Sequence, residues 1–151
     1  MKKLYFVLLV LILISTISCN KKKKYQADWI IVKAEYKGES ILEYIGFRNF
    51  TIDFDNEVGG IPIVHYGKFD ETDITYERNF SFYKYEGKDY IQIIGSKFFT
   101  DTFEIKCLNE ECCTITLKNK DKYIELIYNS GLSPLYDKRK DCPSALERLD
   151  Y

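Results

Sequence analysis

The residues best equipped for chemistry crowd into one short stretch. FEIKCLNEECCTITL, residues 103–117, holds Cys107, Cys112 and Cys113, and Cys142 follows in the tail. Reduced, thiols at this spacing can nucleate a metal nest or act as a redox pair; oxidised, they are structural staples. The compartment decides, because disulfides persist in oxidising spaces and not in the cytosol. Other candidates are weaker. His65, in IPIVHYG, is the only histidine, whereas a zinc site or a Ser-His-Asp triad needs further ligands or partners around the imidazole. The carboxylates of FDNE and FDETD lack the spacing of a calcium loop, and acidic residues at turns bond their own backbone. No Gly-rich phosphate loop, nucleophile elbow or helix-borne His pair occurs in the chain. An enzyme is therefore not expected, nor a metal or cofactor. Tyr76, Tyr83, Tyr85 and Tyr90 could form an outer platform for sugars or partner proteins, or cross-strand pairs that stabilise a sheet.

The compartment is written at the N-terminus, MKKLYFVLLVLILISTISCN. Two lysines precede an apolar run of 11 residues from Leu4 to Ile14, and small polar residues lead to Cys19. A membrane-spanning helix needs about 20 apolar residues, so residues 1–18 read as an export signal removed on maturation. TISC resembles the lipobox of bacterial lipoproteins, with Thr16 where that motif usually carries an aliphatic residue. The resemblance implies that Cys19 becomes the mature N-terminus and carries acyl chains, which would hold the protein on a membrane without a transmembrane helix. It also implies the bacterial cell envelope, and Asn20 in place of an inner-membrane retention Asp points to the outer membrane. NKKKKYQA then completes a polar tether over residues 19–27, its lysines solvated or lying against anionic head groups.

Without residues 1–18 the chain keeps 20 basic and 23 acidic residues, a net charge of about −3, and four of the bases sit in the tether. An acidic body with no basic patch excludes nucleic acid as the expected partner. The 133 remaining residues suffice for one hydrophobic core.

Past the tether the hydrophobic period is two, the mark of strands. DWIIVKAEY, 28–36, opens the series with Trp29 and apolar residues on both faces. FRNFTIDF, 47–54, sets Phe50, Ile52 and Phe54 on one face, DNEVGG turns, and IPIVHY is a short strand whose Pro62 suits an edge. ITYERNFSFYKY puts Phe80 and Phe82 inward. If EGKD is the next turn, Tyr85 pairs with Tyr90 and Phe82 faces Ile93, with Ile91 on the same side. DTFEIKC contributes Phe103 and Ile105, CTITLK contributes Ile115 and Leu117, and KYIELIY contributes Ile124 and Leu126. The turn NKDK pairs Lys118 with Tyr123, which sets Leu117 against Ile124 and Ile115 against Leu126. Within the body only ESILEYIG, 39–46, reads as a helical turn. About eight short strands at near-regular spacing predict an all-β fold, an eight-stranded antiparallel up-and-down barrel or a sandwich, over residues 28–130. The tail, 131–151, carries a short helix candidate with Pro143 in its first turn, a capping box of Ser144 and Glu147, and Leu146 and Leu149 to dock it.

The same alternation gives the cysteines directions. Extending it from Phe103 and Ile105 points Cys107 inward; extending it from Ile115 and Leu117 points Cys113 inward and Cys112 outward. With Ile105 opposite Ile115, the predicted bridges are Cys107–Cys113 across the hairpin and Cys112–Cys142 to the tail. The rival pairing joins Cys107 to Cys112 around an Asn109-Glu110 turn and leaves Cys113 for Cys142, with Phe103 and Ile115 then on opposite faces. A vicinal Cys112–Cys113 bridge is strained and would suit a redox role.

Trp29 in a first strand, FTIDF in a second and a run of meandering hairpins make residues 27–129 similar to the lipocalin-like lipoproteins of bacteria. Lipocalins open with Gly-x-Trp; here the triplet is ADW, so Trp29 matches and Ala27 departs. The resemblance implies a lipid-anchored barrel that binds or carries a small hydrophobic molecule. Eight strands enclose a space that side chains either just fill or share with one ligand. The alternative expectation is a solid barrel acting on an envelope protein partner as an interaction, inhibitor or structural module.

Overall fold

The computed structural model describes residues 24–53, 60–62, 64–70, 79–129 and 142. Eight strands form one antiparallel sheet: β1 (Ala27–Tyr36), β2 (Glu39–Ser40), β3 (Asn49–Ile52), β4 (Asn79–Tyr85), β5 (Lys88–Ile94), β6 (Asp101–Cys107), β7 (Thr114–Lys118) and β8 (Lys122–Tyr128). Strands β4 to β8 run as a meander, and β8 pairs with β1, so the first and last strands are joined. On its other side β1 pairs with β2 near its C-terminal end and with β3 near its start. Between those two pairings the chain makes a single 3-10 turn, Leu42–Tyr44, where a helical turn is expected from ESILEYIG. The strand expected over IPIVHY is reduced, among the described residues, to one bridge between Val64 and Ile45. The helix candidate of the tail lies outside the described residues, as do Cys19 and Phe54.

The expected closed barrel is corrected here: the sheet order runs from β2 to β4, with β3 beside β2 on the same side of β1, and no ladder joins β4 to β2 or β3 among the described residues. The sheet nevertheless rolls. Six interstrand spacings separate β3 from β4, roughly 29 Å if the sheet were flat, yet the Phe50 and Phe80 rings meet at 6.1 Å. Among the described residues the two strands meet through side chains rather than through a backbone ladder.

Local sequence explains the hairpins. Lys37-Gly38 and Glu86-Gly87 each place two residues at positive φ, 53° and 85° in the first and 48° and 79° in the second. That is the two-residue turn whose twist suits antiparallel strands, and glycine carries it without a Cβ clash. The second turn is therefore shorter than the expected EGKD. Tyr85 pairs with Lys88, Tyr83 with Tyr90, and Phe82 with Ile91 rather than Ile93. A slip of two residues leaves every side chain on its own face, so the inward set survives the wrong register. At NKDK the expected register holds, with Lys118 opposite Tyr123, Leu117 opposite Ile124 and Ile115 opposite Leu126. Asn119 organises that turn, its side-chain oxygen accepting from the backbone N–H groups of Asp121 and Lys122 at 3.0 and 2.8 Å.

The cysteine hairpin shows the same two-residue slip. Ile105 pairs with Leu117, and Cys107 pairs with Ile115. The predicted bridges are replaced by Cys107–Cys112, with Cα atoms 4.8 Å apart, and Cys113–Cys142, at 5.4 Å. The reason is local. The connection runs from Leu108 to Cys113, so Cys113 lies outside β7 rather than opposite Cys107, and Cys112 adopts φ +56°, which ends the alternation that had pointed Cys112 outward; the bridges are those of the rival pairing, reached without its two-residue turn. Cys112 and Cys113 are both buried, as are Phe103 and Ile115, so this pairing does not force those two onto opposite faces.

Candidate functional site

The interior of the roll is the place where a carried molecule would lie. Trp29, Phe50, Ile52, Ile91, Ile93, Phe103, Ile105, Ile115, Leu117, Ile124 and Leu126 are fully buried, Phe80 nearly so, and Phe82 is half-buried against the same core. Residues outside the inward set add much of the volume. Phe98 and Phe99, from the β5–β6 turn, are fully buried, and so are Ile41 and Tyr25. A chain of ring contacts crosses the space: Tyr36 to Phe69 at 5.0 Å, Phe69 to Phe98 at 5.2 Å, Phe98 to Phe99 at 5.0 Å, Phe99 to Phe50 at 5.5 Å. These separations are those of aromatic rings in direct edge-to-face contact.

Each end of the roll holds a long amphipathic side chain with a carboxylate partner. At the end where β1 begins, Tyr25 lies in the core, its ring 5.7 Å from Phe82. Its hydroxyl donates to Asp89 Oδ2 at 2.7 Å, and Lys24 Nζ sits 2.9 Å from the same oxygen. The Trp29 indole N–H donates to the Tyr25 carbonyl at 3.0 Å, which fixes the chain just before β1. The sheet's core thus begins inside the stretch expected as a free tether. Burial and the hydrogen bond to the Asp89 carboxylate push the Tyr25 hydroxyl far above its ordinary value. Burial alone would raise Asp89; the Tyr25 hydrogen bond and Lys24 outweigh it and hold the carboxyl below its ordinary value. The pair is a neutral phenol donating to a carboxylate.

At the opposite end Lys122 continues the inward face of β8 and is buried. Its ammonium lies 5.3 Å from the centre of the Phe98 ring and 5.7 Å from that of Phe103, and it meets Asp101 Oδ2 at 3.2 Å. The alkyl stem fills apolar space while the charge reaches a carboxylate at the rim, which is how a lysine tolerates such a position.

The remaining candidates are on the surface. His65 Nδ1 lies 2.8 Å from Asp70 Oδ1, with both side chains more than half exposed. That contact orients the imidazole, and no second histidine exists to join it. Among the described residues no group of three or more His, Cys, Asp or Glu is placed to hold a metal, and the four body cysteines are oxidised. Tyr83 and Tyr90 stack on the outer face at 5.4 Å with ring planes 13° apart, a cross-strand pair, while Tyr85 beside them is exposed; Tyr76 lies outside the described residues. The signals missed in the sequence were SKFFT, which has no alternation, and Tyr25, which stands beside four lysines. Among the described residues no helix is long and apolar enough to cross a membrane. Comparison of the chain with family models, with curated proteins and with solved structures gives no match in any of the three, so the placement of its residues carries the functional reading.

Proposed function

We propose that this chain is a lipid-anchored envelope protein, lipocalin-like in plan, whose interior is filled by its own side chains and which acts through its outer surface on a protein partner. The observation that carries the reading is the plugging of both ends, by Tyr25 with Asp89 and by Lys122 with Asp101, around a continuous line of packed rings. Small-molecule sites are concave and open at a mouth. Here both mouths are held by ion-paired or hydrogen-bonded side chains. The N-terminal signal pattern and Cys19 in TISC support the anchor.

A second reading, a carrier of one small hydrophobic molecule, is favoured by the seam between β3 and β4, which no backbone ladder bridges among the described residues. One experiment separates the two. The full chain is extracted in mild detergent from the bacterial envelope and its mass measured under native and denaturing conditions. The interaction module predicts an acylated N-terminal Cys19 peptide, a protein partner that co-purifies, and no stoichiometric lipid beyond the anchor. A second lipid or other apolar molecule in one-to-one amount, released on denaturation, would establish the carrier. An unmodified Cys19 would end the anchored reading.

A further inference from the structure

The connection between anchor and sheet is short enough to orient the domain. Five peptide links separate Cys19 from Lys24, a reach of about 18 Å at full extension. Lys24 is pinned to Asp89 and Tyr25 is locked in the core, so no slack is gained beyond that point. β5 runs from Lys88, beside Asp89, to Ile94 at the other end of the roll, roughly 20 Å of strand before its turn. Turning the far end to the membrane would require the tether to stretch flat along the whole domain. The near end meets the surface with the tether relaxed.

That near end carries interfacial side chains. The β4–β5 hairpin presents Tyr85, 60% exposed, between Lys84 and Lys88, and the β6–β7 connection presents Leu108, 56% exposed, beside Lys106. An amphipathic ring and a leucine flanked by lysines are the chemistry of the bilayer–water boundary, where the apolar part enters and the ammonium stays with the phosphates. The same rim bears Glu86, Glu110 and Glu111, all exposed, and Lys88 and Lys106 are both within ion-pair distance of Glu104. Net attraction to anionic lipid is therefore small, and apolar insertion is the larger contribution.

We infer that the Tyr25 end of the roll rests on the bilayer that holds its own anchor, with Tyr85 and Leu108 at the interface and the Lys122 end presented outward. This rests on the reading that Cys19 is acylated. The test uses the full acylated protein, purified from its envelope and reconstituted in vesicles of phosphatidylethanolamine and phosphatidylglycerol, with a head-group-proximal spin-labelled lipid as quencher. Tyr85→Trp and, as a second reporter, Leu108→Trp are compared with Ile94→Trp at the far end, where Ile94 is 50% exposed. Tyr85→Trp and Leu108→Trp are expected to lose emission on addition of the quencher beyond any loss of the wild type, which holds only the buried Trp29, and Ile94→Trp is expected to be no more quenched than the wild type. Equal quenching at both ends, or quenching at Ile94→Trp alone, in protein that co-sediments with vesicles overturns the orientation and leaves the anchor intact. An unmodified Cys19 and no co-sedimentation overturn the anchor reading and the orientation together.

Discussion

Tyr25 and Asp89 are 64 residues apart in the chain and 2.7 Å apart in the fold, the phenol donating to the carboxylate. This contact ties the residue just ahead of β1 to the hairpin between β4 and β5. A buried phenol held by a carboxylate is also a group whose ionisation opposes folding.

Tyr25→Phe tests that statement through pH. The folded-state value of Tyr25 is raised, so its contribution is complete below the ordinary tyrosine value near 10 and fades as pH rises above it, because the unfolded chain ionises first. The wild type is expected to lose stability steeply above about pH 10. The variant, about 1 kcal/mol less stable at neutral pH, should show a flatter alkaline limb in urea titrations. Parallel limbs would refute the role.

Asp89→Asn probes the acid side. The Tyr25 hydrogen bond and Lys24 outweigh burial and hold the carboxyl below the ordinary aspartate value, so its contribution is present above that value and is lost as pH falls through the folded one. The asparagine variant should be less stable at pH 7 and should lose less between pH 5 and pH 2 than the wild type, measured by thermal melts across that range.

The bridges are tested by removing one end. In Cys142→Ser the pairing Cys107–Cys112 leaves Cys113 as the new free thiol. Alkylation without reduction, followed by fragmentation of the peptide holding both adjacent cysteines, should mark Cys113; a label on Cys112 would restore the alternative pairing. The two bridges close loops of 5 and 29 residues. In the chain-entropy picture the first stabilises by about 2 kcal/mol and the second by about 3.5 kcal/mol. Cys142→Ser is therefore expected to cost more than Cys107→Ser paired with Cys112→Ser.

Phe99→Ala removes the ring that links Phe98 to Phe50. A fully buried phenylalanine replaced by alanine costs about 3–5 kcal/mol. An effect below about 1 kcal/mol in denaturant unfolding would mean that the ring fills no indispensable space.

Lys122→Ala should destabilise by about 1–3 kcal/mol, because it empties space beneath Phe98 and Phe103 and strands Asp101 only at an exposed rim. Lys122→Met retains the stem and should recover most of that loss. If both variants are equally unstable, the charge contact with Asp101 outweighs packing.

The alternation of Phe103, Ile105, Ile115, Leu117, Ile124 and Leu126 was legible because a period of two follows from the pleat itself, whatever the strands pair with. The β7–β8 register was legible for a similar reason, since Asn119 builds its turn from neighbours in sequence. The β4–β5 register was not, because EGKD can turn over two residues or four and only positive φ at Glu86 and Gly87 selects the shorter form.

By itself, then, the sequence determined the class of the fold and the faces of its strands, both of which depend on residues near one another in the chain. Tertiary structure decided the rest. The approach of β3 to β4 through Phe50 and Phe80, the burial of Phe98 and Phe99, the clamp of Tyr25 on Asp89 and the partners of Cys107 and Cys113 depend on contacts between distant segments. Such contacts are chosen by how the rolled sheet packs as a whole, and no local period encodes them.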